Sequence, residues 1–408
     1  MDIESIKISG HGIKGTSTAK RWKSRPWKEL ACLFIEDRKQ SENIGYLLQN
    51  YLKEVIEGMN LCIKELKIEK VRIYLSEGYS EFLSELEKYG YEVILSSNSK
   101  EIFSEETLVH HAETFLALSR SLAEENYIPK KILTIAGEVK TPGIYEVPFG
   151  KSLREIVSQY GNGGEKPIKF VQVGGNTGAI FTEDELDIPF TYSKLMGQGT
   201  MLEIAKLEVY NAETCIVNWS YNKMLENSKE TCGKCVYCRE GIYQLYRIIK
   251  DATLGRGKEG DIDLAMELCE TIEAGTLCDF GKTAANPLHT AIQKFNDEFQ
   301  KHIERKRCDA LVCKNYITYH ILGNKCTGCG KCLSNCSQKA IKGGQDMIHV
   351  IDQQLCNKCD VCLKICEAGA IVKAGAIKPK TPEEPVAVGS WKEAGLAKKG
   401  LMSRRKLS

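Results

Sequence analysis

Long apolar runs are missing from this 408-residue chain: no stretch approaches the ~18 residues that a membrane-spanning helix needs. Excess charge of either sign is missing too. The 56 basic and 54 acidic side chains leave a formal net charge of +2, which argues against a nucleic-acid binder, whose contact face is usually basic. The opening MDIESIKISG lacks the basic start and apolar core of an export signal, so a soluble, cytoplasmic protein is expected. Cysteine is scarce in the first part of the chain and dense in the rest: residues 1–231 hold three (Cys32, Cys62, Cys215) and residues 232–408 hold fifteen. In a chain without an export signal, that density points to metal ligation and away from a disulfide framework. Hydrophobic residues at 42% and charged residues at 27% exclude a largely disordered chain, and the length implies about two to four domains.

What is present is a repeated pattern. Residues 326–336 read C-T-G-C-G-K-C-L-S-N-C and residues 356–366 read C-N-K-C-D-V-C-L-K-I-C, each a C-x2-C-x2-C-x3-C run. An Ala-Ile pair follows each copy (Ala340-Ile341, Ala370-Ile371). Soft thiolates packed this closely suit iron–sulfur clusters. A pair of zinc knuckles is the alternative, but zinc prefers two Cys pairs separated by a longer loop. The two runs, thirty residues apart, resemble bacterial ferredoxins with two [4Fe–4S] clusters. In that family the fourth Cys of each run ligates the other cluster. The resemblance therefore assigns Cys326, Cys329, Cys332 and Cys366 to one cluster, and Cys336, Cys356, Cys359 and Cys362 to the other. The proline that the family places after each fourth cysteine is replaced here by Ser337 and Glu367.

A third run, C-G-K-C-V-Y-C-R-E-G, supplies Cys232, Cys235 and Cys238 without a nearby fourth thiol. Cys269 falls in D-L-A-M-E-L-C-E-T-I-E, whose apolar spacing reads as an amphipathic helix with a core thiol. Cys278 follows Gly275 in A-G-T-L-C-D-F-G, a helix-ending turn where backbone N–H groups can reach a cluster's sulfurs. C-G-K-C-x-x-C-R-E-G, followed forty residues on by T-L-C-D-F-G-K-T-A-A-N-P, resembles the NADH-oxidising flavoprotein subunit of respiratory complex I. It is most similar to that subunit's soluble relatives, the beta subunits of electron-bifurcating [FeFe] hydrogenases and NAD-linked formate dehydrogenases. The resemblance covers about residues 130–372 well and 1–129 poorly, and it implies a third [4Fe–4S] cluster on Cys232, Cys235, Cys238 and Cys278. In H-I-E-R-K-R-C-D-A-L-V-C, His302, Cys308 and Cys313 form either a candidate zinc site without an evident fourth ligand or two ordinary thiols at a helix end.

In that family a glycine-rich loop cradles the FMN phosphate, because only glycine lets backbone N–H groups approach an anion so closely. The counterpart here is G-H-G-I-K-G-T-S-T-A-K-R-W, with Gly10, Gly12, Lys14, Gly15 and Thr18 as the candidate FMN contacts and Trp22 closing the match. The family's acidic N-A-D-E-x-E-P segment is reduced to F-I-E-D-R-K-Q-S, leaving Glu36 and Asp37, and its later C-G-E-E-T segment is missing. The expectation is that NADH oxidation is lost, with retained FMN the lesser alternative. A true dinucleotide turn at Gly10–Gly15 with Asp37 on a ribose is a rival reading, opposed by Pro26, which interrupts the helix it requires.

The expected fold is α/β multidomain. Residues 1–129 form a reduced Rossmann-like α/β domain, and 130–201 a module similar to soluble-ligand-binding β-grasp domains, opened by two strands around a Pro-Gly turn and a helix from Ser152. A helical domain with one cluster spans 202–306, a two-cluster ferredoxin-like domain 307–372 and a basic tail 373–408. The tail reads as solvated or as an arm ordered on a partner, on account of Trp391, Leu396 and Leu401; His110 and His111 read as helical. No nucleophile–base pair appears. The function expected is an iron–sulfur electron-transfer subunit of a soluble, anaerobic hydrogenase, formate dehydrogenase or transhydrogenase. The resemblance implies as partners a thioredoxin-like [2Fe–2S] subunit, a flavoprotein or catalytic subunit, and ferredoxin. The alternatives are an active, FMN-containing, electron-bifurcating NAD(P)H oxidase and a scaffold whose clusters are only structural.

Overall fold

A computed structural model describes residues 17–35, 41–96, 103–202 and 204–392. The chain divides into two compact units, one of residues up to Lys250 with Gly260–Phe299, the other of Asp251–Glu259 with the residues from Gln300 onward.

The first unit opens with α1 (Thr18–Trp22), β1 (Glu29–Phe34), α2 (Asn43–Leu66), β2 (Lys70–Ser76), α3 (Leu83–Glu87), β3 (Glu92–Ser96), β4 (Thr107–His111) and α4 (Ala112–Ala123). The four strands form a wholly parallel sheet in the order β3-β2-β1-β4. Because β1 is central, its Leu30–Phe34 run is buried on both faces, the pattern that covered parallel strands require. Helix α2 turns Ile44, Leu47, Leu48, Val55, Ile56 and Met59 onto one face and closes on Lys67, whose φ of 53° is left-handed. Its partner is α4, and Gly58 makes the crossing close: a Cβ there would sit 1.9 Å from the Phe115 carbonyl oxygen. His110 and His111, expected in a helix, end β4, with His111 as the N-cap of α4. The branched Thr107 and Val109 favour the strand, and Ala112 then starts the helix.

A second sheet follows, with β5 (Lys130–Gly137), β6 (Gly143–Pro148), α5 (Leu153–Gln159), β7 (Ile168–Val173), β8 (Ile180–Thr182), α6 (Tyr192–Met196) and β9 (Lys206–Asn211), in the order β6-β5-β9-β7-β8. The hairpin β5–β6 turns through Thr141-Pro-Gly, and Ser152 starts α5 with a reciprocal capping box to Glu155. Strand β9 lies at the centre of this sheet, so the module extends beyond residue 201. Buried charge joins the two sheets: the Lys131 ammonium of β5 pairs with the Glu113 carboxylate of α4, both about 94% buried. Arg120 of α4 bridges Glu54 at 2.7 Å and Glu146 of β6 at 2.5 Å.

The unit closes with α7 (Ile216–Glu230), α8 (Val236–Thr253), α9 (Asp261–Gly275), α10 (Asp279–Thr283) and α11 (Asn286–Ile303). Asn227 of α7 donates to the Asn176 and Ala284 carbonyls at 2.9 and 2.8 Å, and Lys169 of β7 meets Glu298 of α11 at 2.6 Å, which fixes these helices on the second sheet.

The second unit carries β10 (Thr318–Ile321), α12 (Lys331–Ser334), β11 (Ile341–Lys342), β12 (Met347–Ile348), β13 (Val350–Ile351), α13 (Val361–Ile365), β14 (Ile371–Ala374) and β15 (Val386–Ala387). Antiparallel pairs β10–β14 and β11–β13 enclose a small core of Ile317, Tyr319, Ile321, Ile341, Ile351 and Ile371. Part of the expected basic tail is structural: β15 pairs with β12, and the Trp391 ring lies against Gly323, where a Cβ would come within 2.7 Å of it. Leu396 and Leu401 lie outside the described residues.

Lys131→Ala leaves Glu113 buried alone, and is expected to lower the unfolding free energy by about 3–5 kcal/mol, read as a lower denaturant midpoint. Combining Lys131→Met with Glu113→Leu should recover most of that loss. A double variant as unstable as the single one would show that the lost charge pairing is not the cause.

Candidate functional site

Each cysteine run is placed by the residues between its thiols. In the second unit, the first copy needs left-handed backbone on both sides of Cys329, supplied by Gly328 and Gly330 with φ of 72° each. The chain then forms α12 and reaches Cys336, whose sulfur accepts the Ala340 N–H at 3.3 Å. The second copy repeats this path with Lys358 and Asp360 left-handed, α13 next, and Cys366 accepting the Ala370 N–H at 3.4 Å. The Ala-Ile pair behind each run thus serves twice: alanine's N–H meets the sulfur, and isoleucine enters the core.

Across the repeat, the fold brings Cys336 of the first copy together with Cys356, Cys359 and Cys362 of the second, around one cavity that Tyr319 and Asp360 also line. The Cys362 thiol is pushed up to about 11 by burial and then by Cys356, Cys359 and Cys336. Cys332 is likewise pushed up to about 11, by burial and by the neighbouring Cys326 and Cys329. Crowded thiols of this kind resist ionisation on their own, and a bound cation reverses the preference.

In the first unit, Cys232 and Cys235 occupy the link between α7 and α8, and Cys238 lies in the first turn of α8. Gly233 is left-handed at φ 78°, and Arg239 clips the loop by donating to the Gly233 carbonyl at 2.9 Å. Cys278 is the N-cap of α10, and its sulfur accepts the Gly281 N–H at 3.4 Å. The two segments meet where Tyr237 lies on Gly275, which has no room for a Cβ. Cys232 and Cys278 are exposed, Cys235 is half-buried and Cys238 is buried. Cys269 is buried in α9, donates to the Ala285 carbonyl at 3.9 Å and is pushed up to about 12 by burial, the behaviour of a core thiol. In the second unit His302, Cys308 and Cys313 are buried, with their ligand atoms within 4.8 Å of one another and Cys313 Sγ 3.5 Å from His302 Nε2. That set has the chemistry of a zinc site.

Of the candidate flavin contacts, Gly10, Gly12, Lys14 and Gly15 lie outside the described residues, as do Glu36 and Asp37. Thr18 begins α1, buried, its hydroxyl without a hydrogen-bond partner. Four residues on, the Trp22 indole donates to His110 Nε2 at 3.0 Å, and burial, with Arg21 nearby, pushes His110 down to about 3, so the imidazole accepts as a neutral ring. Beyond the carboxyl end of β2 lies a cavity of about 660 Å³, lined by Ser41, Glu42, Ser76, Tyr79, Thr134 and Lys206 among others. Open α/β sheets bind ligands at such an edge. Tyr79 covers the first turn of α2 at Gly45 and donates to the Glu42 carboxylate at 3.3 Å. Lys206, the cation among the described lining residues, is paired with Glu208 at 3.0 Å.

No helix among the described residues is long and apolar enough to cross a membrane. Residues 221–302 match the NADH-ubiquinone oxidoreductase-F iron-sulfur binding region. The NADP-reducing hydrogenase subunit HndC of Solidesulfovibrio fructosivorans is 35% identical over 221 residues, 54% of this chain and 45% of that one. The F 2 subunit of the NADH-quinone oxidoreductase of Rhizobium meliloti is 31% identical over 220 residues, 51% of this chain and 52% of that one. The chain thus spans about half the length of the curated relatives it matches. In fold it is similar to an NAD+-reducing [NiFe]-hydrogenase in the H2-reduced state, with a TM-score of 0.64, 19% identity and coverage of 74% of this chain and 62% of that one. Cys232, Cys235 and Cys238, at the entry to α8, and Cys278, at the cap of α10, fall inside the matched segment. Residues 221–302 are thus similar to the NADH-ubiquinone oxidoreductase-F iron–sulfur binding region, on a chain that is similar over about half its length to the F subunits of NADH-quinone oxidoreductases and to the HndC subunit of an NADP-reducing hydrogenase.

Proposed function

We propose that this chain is the iron–sulfur electron-transfer subunit of a soluble, cytoplasmic, multisubunit oxidoreductase of hydrogenase, formate dehydrogenase or transhydrogenase type, and that it no longer oxidises NADH. The observation that supports this most strongly is the cavity in which Cys336 joins Cys356, Cys359 and Cys362. A fourth thiol from the other copy of a repeat is what a two-cluster ferredoxin-like domain requires. On this reading those four residues hold one [4Fe–4S] cluster. Cys326, Cys329, Cys332 and Cys366 hold a second, and Cys232, Cys235, Cys238 and Cys278 a third. Bound clusters supply one-electron transfer, at potentials set by burial and by hydrogen bonds to sulfur. The protein's share is to hold the thiolates and to direct the N–H groups of Gly281, Ala340 and Ala370 at Cys278, Cys336 and Cys366.

Loss of NADH oxidation is supported by the reduced acidic segment, by the missing C-G-E-E-T segment and by Tyr79, which covers the first turn of α2 and donates to the Glu42 carboxylate. The two relatives described above are by name subunits of a hydrogenase and of an NADH-quinone oxidoreductase. Partner subunits of the same kind are proposed here: a thioredoxin-like [2Fe–2S] subunit, a flavoprotein or catalytic subunit, or ferredoxin. His302, Cys308 and Cys313 are proposed to hold zinc, a structural ion outside the relay.

Anaerobically purified chain is expected to carry about twelve cluster irons, no stoichiometric flavin and no absorbance bleached by NADH. One FMN per chain with prompt bleaching by NADH would replace this reading with that of an active flavoenzyme. Separately, Cys336→Ala should remove about a third of the iron and one set of [4Fe–4S] EPR signals. Unchanged iron and spectra in that variant would show that the fourth ligand is not exchanged across the repeat.

A further inference from the structure

The two copies of the ferredoxin-like run share a backbone path and differ in the side chains placed on it. Left-handed residues flank the second cysteine of each run, Gly328 and Gly330 in the first and Lys358 and Asp360 in the second, with φ of 72°, 72°, 58° and 66°. Only glycine adopts this region without a steric cost. A non-glycine residue held there points to a surrounding structure that over-determines it, and such positions concentrate where function needs them.

For Asp360 the surroundings are explicit. The buried Tyr319 phenol donates a hydrogen bond to Oδ1, and the Lys373 ammonium lies 3.1 Å from Oδ2. Tyr319 on β10 and Lys373 on β14 are direct cross-strand partners, so two paired strands hold one carboxylate from below. Gln353 fixes the Tyr319 backbone on both sides, accepting from its N–H at 3.2 Å and donating to its carbonyl at 2.6 Å. Tyr319 and Asp360 line the cavity shared by Cys336, Cys356, Cys359 and Cys362. The first copy has no equivalent, since Gly330 offers no side chain and the next residue, Lys331, turns to Glu367 at the surface, 2.6 Å away.

We propose that Asp360, clamped by Tyr319 and Lys373, sets the reduction potential of the cluster held by Cys336, Cys356, Cys359 and Cys362, and so makes the two ferredoxin-like clusters electrostatically unlike. The inference rests on the reading that this cysteine set holds a cluster. Reduction adds one negative charge to a site partly removed from water, where a fixed carboxylate opposes it and a fixed ammonium favours it. Asp360 therefore lowers the potential and Lys373 raises it. Tyr319 is the positioning residue that keeps the carboxylate at the cavity.

The test is an EPR-monitored potentiometric titration of the full-length, anaerobically purified chain. Asp360→Asn should move the midpoint of one ferredoxin-like cluster upward and leave the other in place. Asp360→Gly installs the residue of the first copy, relieves the left-handed backbone and should give the same upward shift with full iron content. Lys373→Met should move the same cluster downward. Intact signals with unmoved midpoints, equal shifts of both clusters, or shifts of one sign for the Asp360 and Lys373 variants would overturn the proposal alone. Wild-type chain lacking the signals of this cysteine set would overturn the electron-relay reading, and the proposal with it.

Discussion

Thiols gathered in short, partly buried loops resist ionisation unless a cation holds them, and much of this chain is arranged around that constraint. In the second unit, burial and neighbouring sulfurs push Cys332 and Cys362 up to about 11, far from the ionised form that a metal requires. The backbone meets the same problem by aiming dipoles at sulfur: the Ala340, Ala370 and Gly281 N–H groups each reach a cysteine Sγ. Left-handed residues stand beside Cys232 and on both sides of Cys329 and Cys359, where they turn the chain tightly between successive thiols. Such loops bury little apolar surface of their own. The second unit balances this with strand pairs behind the loops and with β15 and Trp391, which return from the C-terminal side to cover Gly323 just ahead of Cys326.

The first unit follows a different rule. Its parallel sheet and its mixed sheet are joined by the buried pair of Lys131 with Glu113, which is stable only while both partners stay in place, and by the half-buried Arg120, which meets Glu54 and Glu146. On the proposed reading, an edge that would otherwise bind a nucleotide has been filled from within the chain. Glu42 stands at the N-cap position of α2, Tyr79 lies across the first turn and donates to the Glu42 carboxylate, and the charge of Lys206 is paired with Glu208. Packing in the core does not depend on a cofactor, so the domain keeps its shape: Trp22, Trp27, Phe34, Phe115 and Met59 are all buried in one cluster.

How much is legible in the sequence follows from how local each signal is. Cysteine spacing is local, and so is the Ser152–Glu155 capping box, which marks the start of α5 at Ser152. The Pro-Gly turn between β5 and β6 is local as well. His110 and His111 read as helical because the apolar pattern of α4 runs up to them, whereas β4 reaches His111 by pairing with β1, a partner some seventy-eight residues away. The tail misleads for a similar reason. Its Pro- and Lys-rich composition hides a two-residue strand whose partner, Met347–Ile348, has no strand signature of its own. A module boundary near 201 misses β9 because a strand inserted between β5 and β7 is recognised only once the sheet is assembled.

Asp360 shows the same limit at the scale of one residue. In the sequence it is an acidic side chain inside a cysteine run, indistinguishable from a solvated loop residue. Its meaning comes from Tyr319 and Lys373, forty-one positions before it and thirteen after, which only the β10–β14 pairing sets side by side. The repeat itself then supplies the comparison that a single site could not. Both copies solve the same backbone problem, and one solves it with glycine, which carries no charge and strains nothing. A second copy that departs from the simpler solution, and surrounds the departure with a phenol and an ammonium, distinguishes the two halves of an otherwise symmetric domain. On the proposed reading, that difference gives an electron shared by the two clusters a preferred resting place.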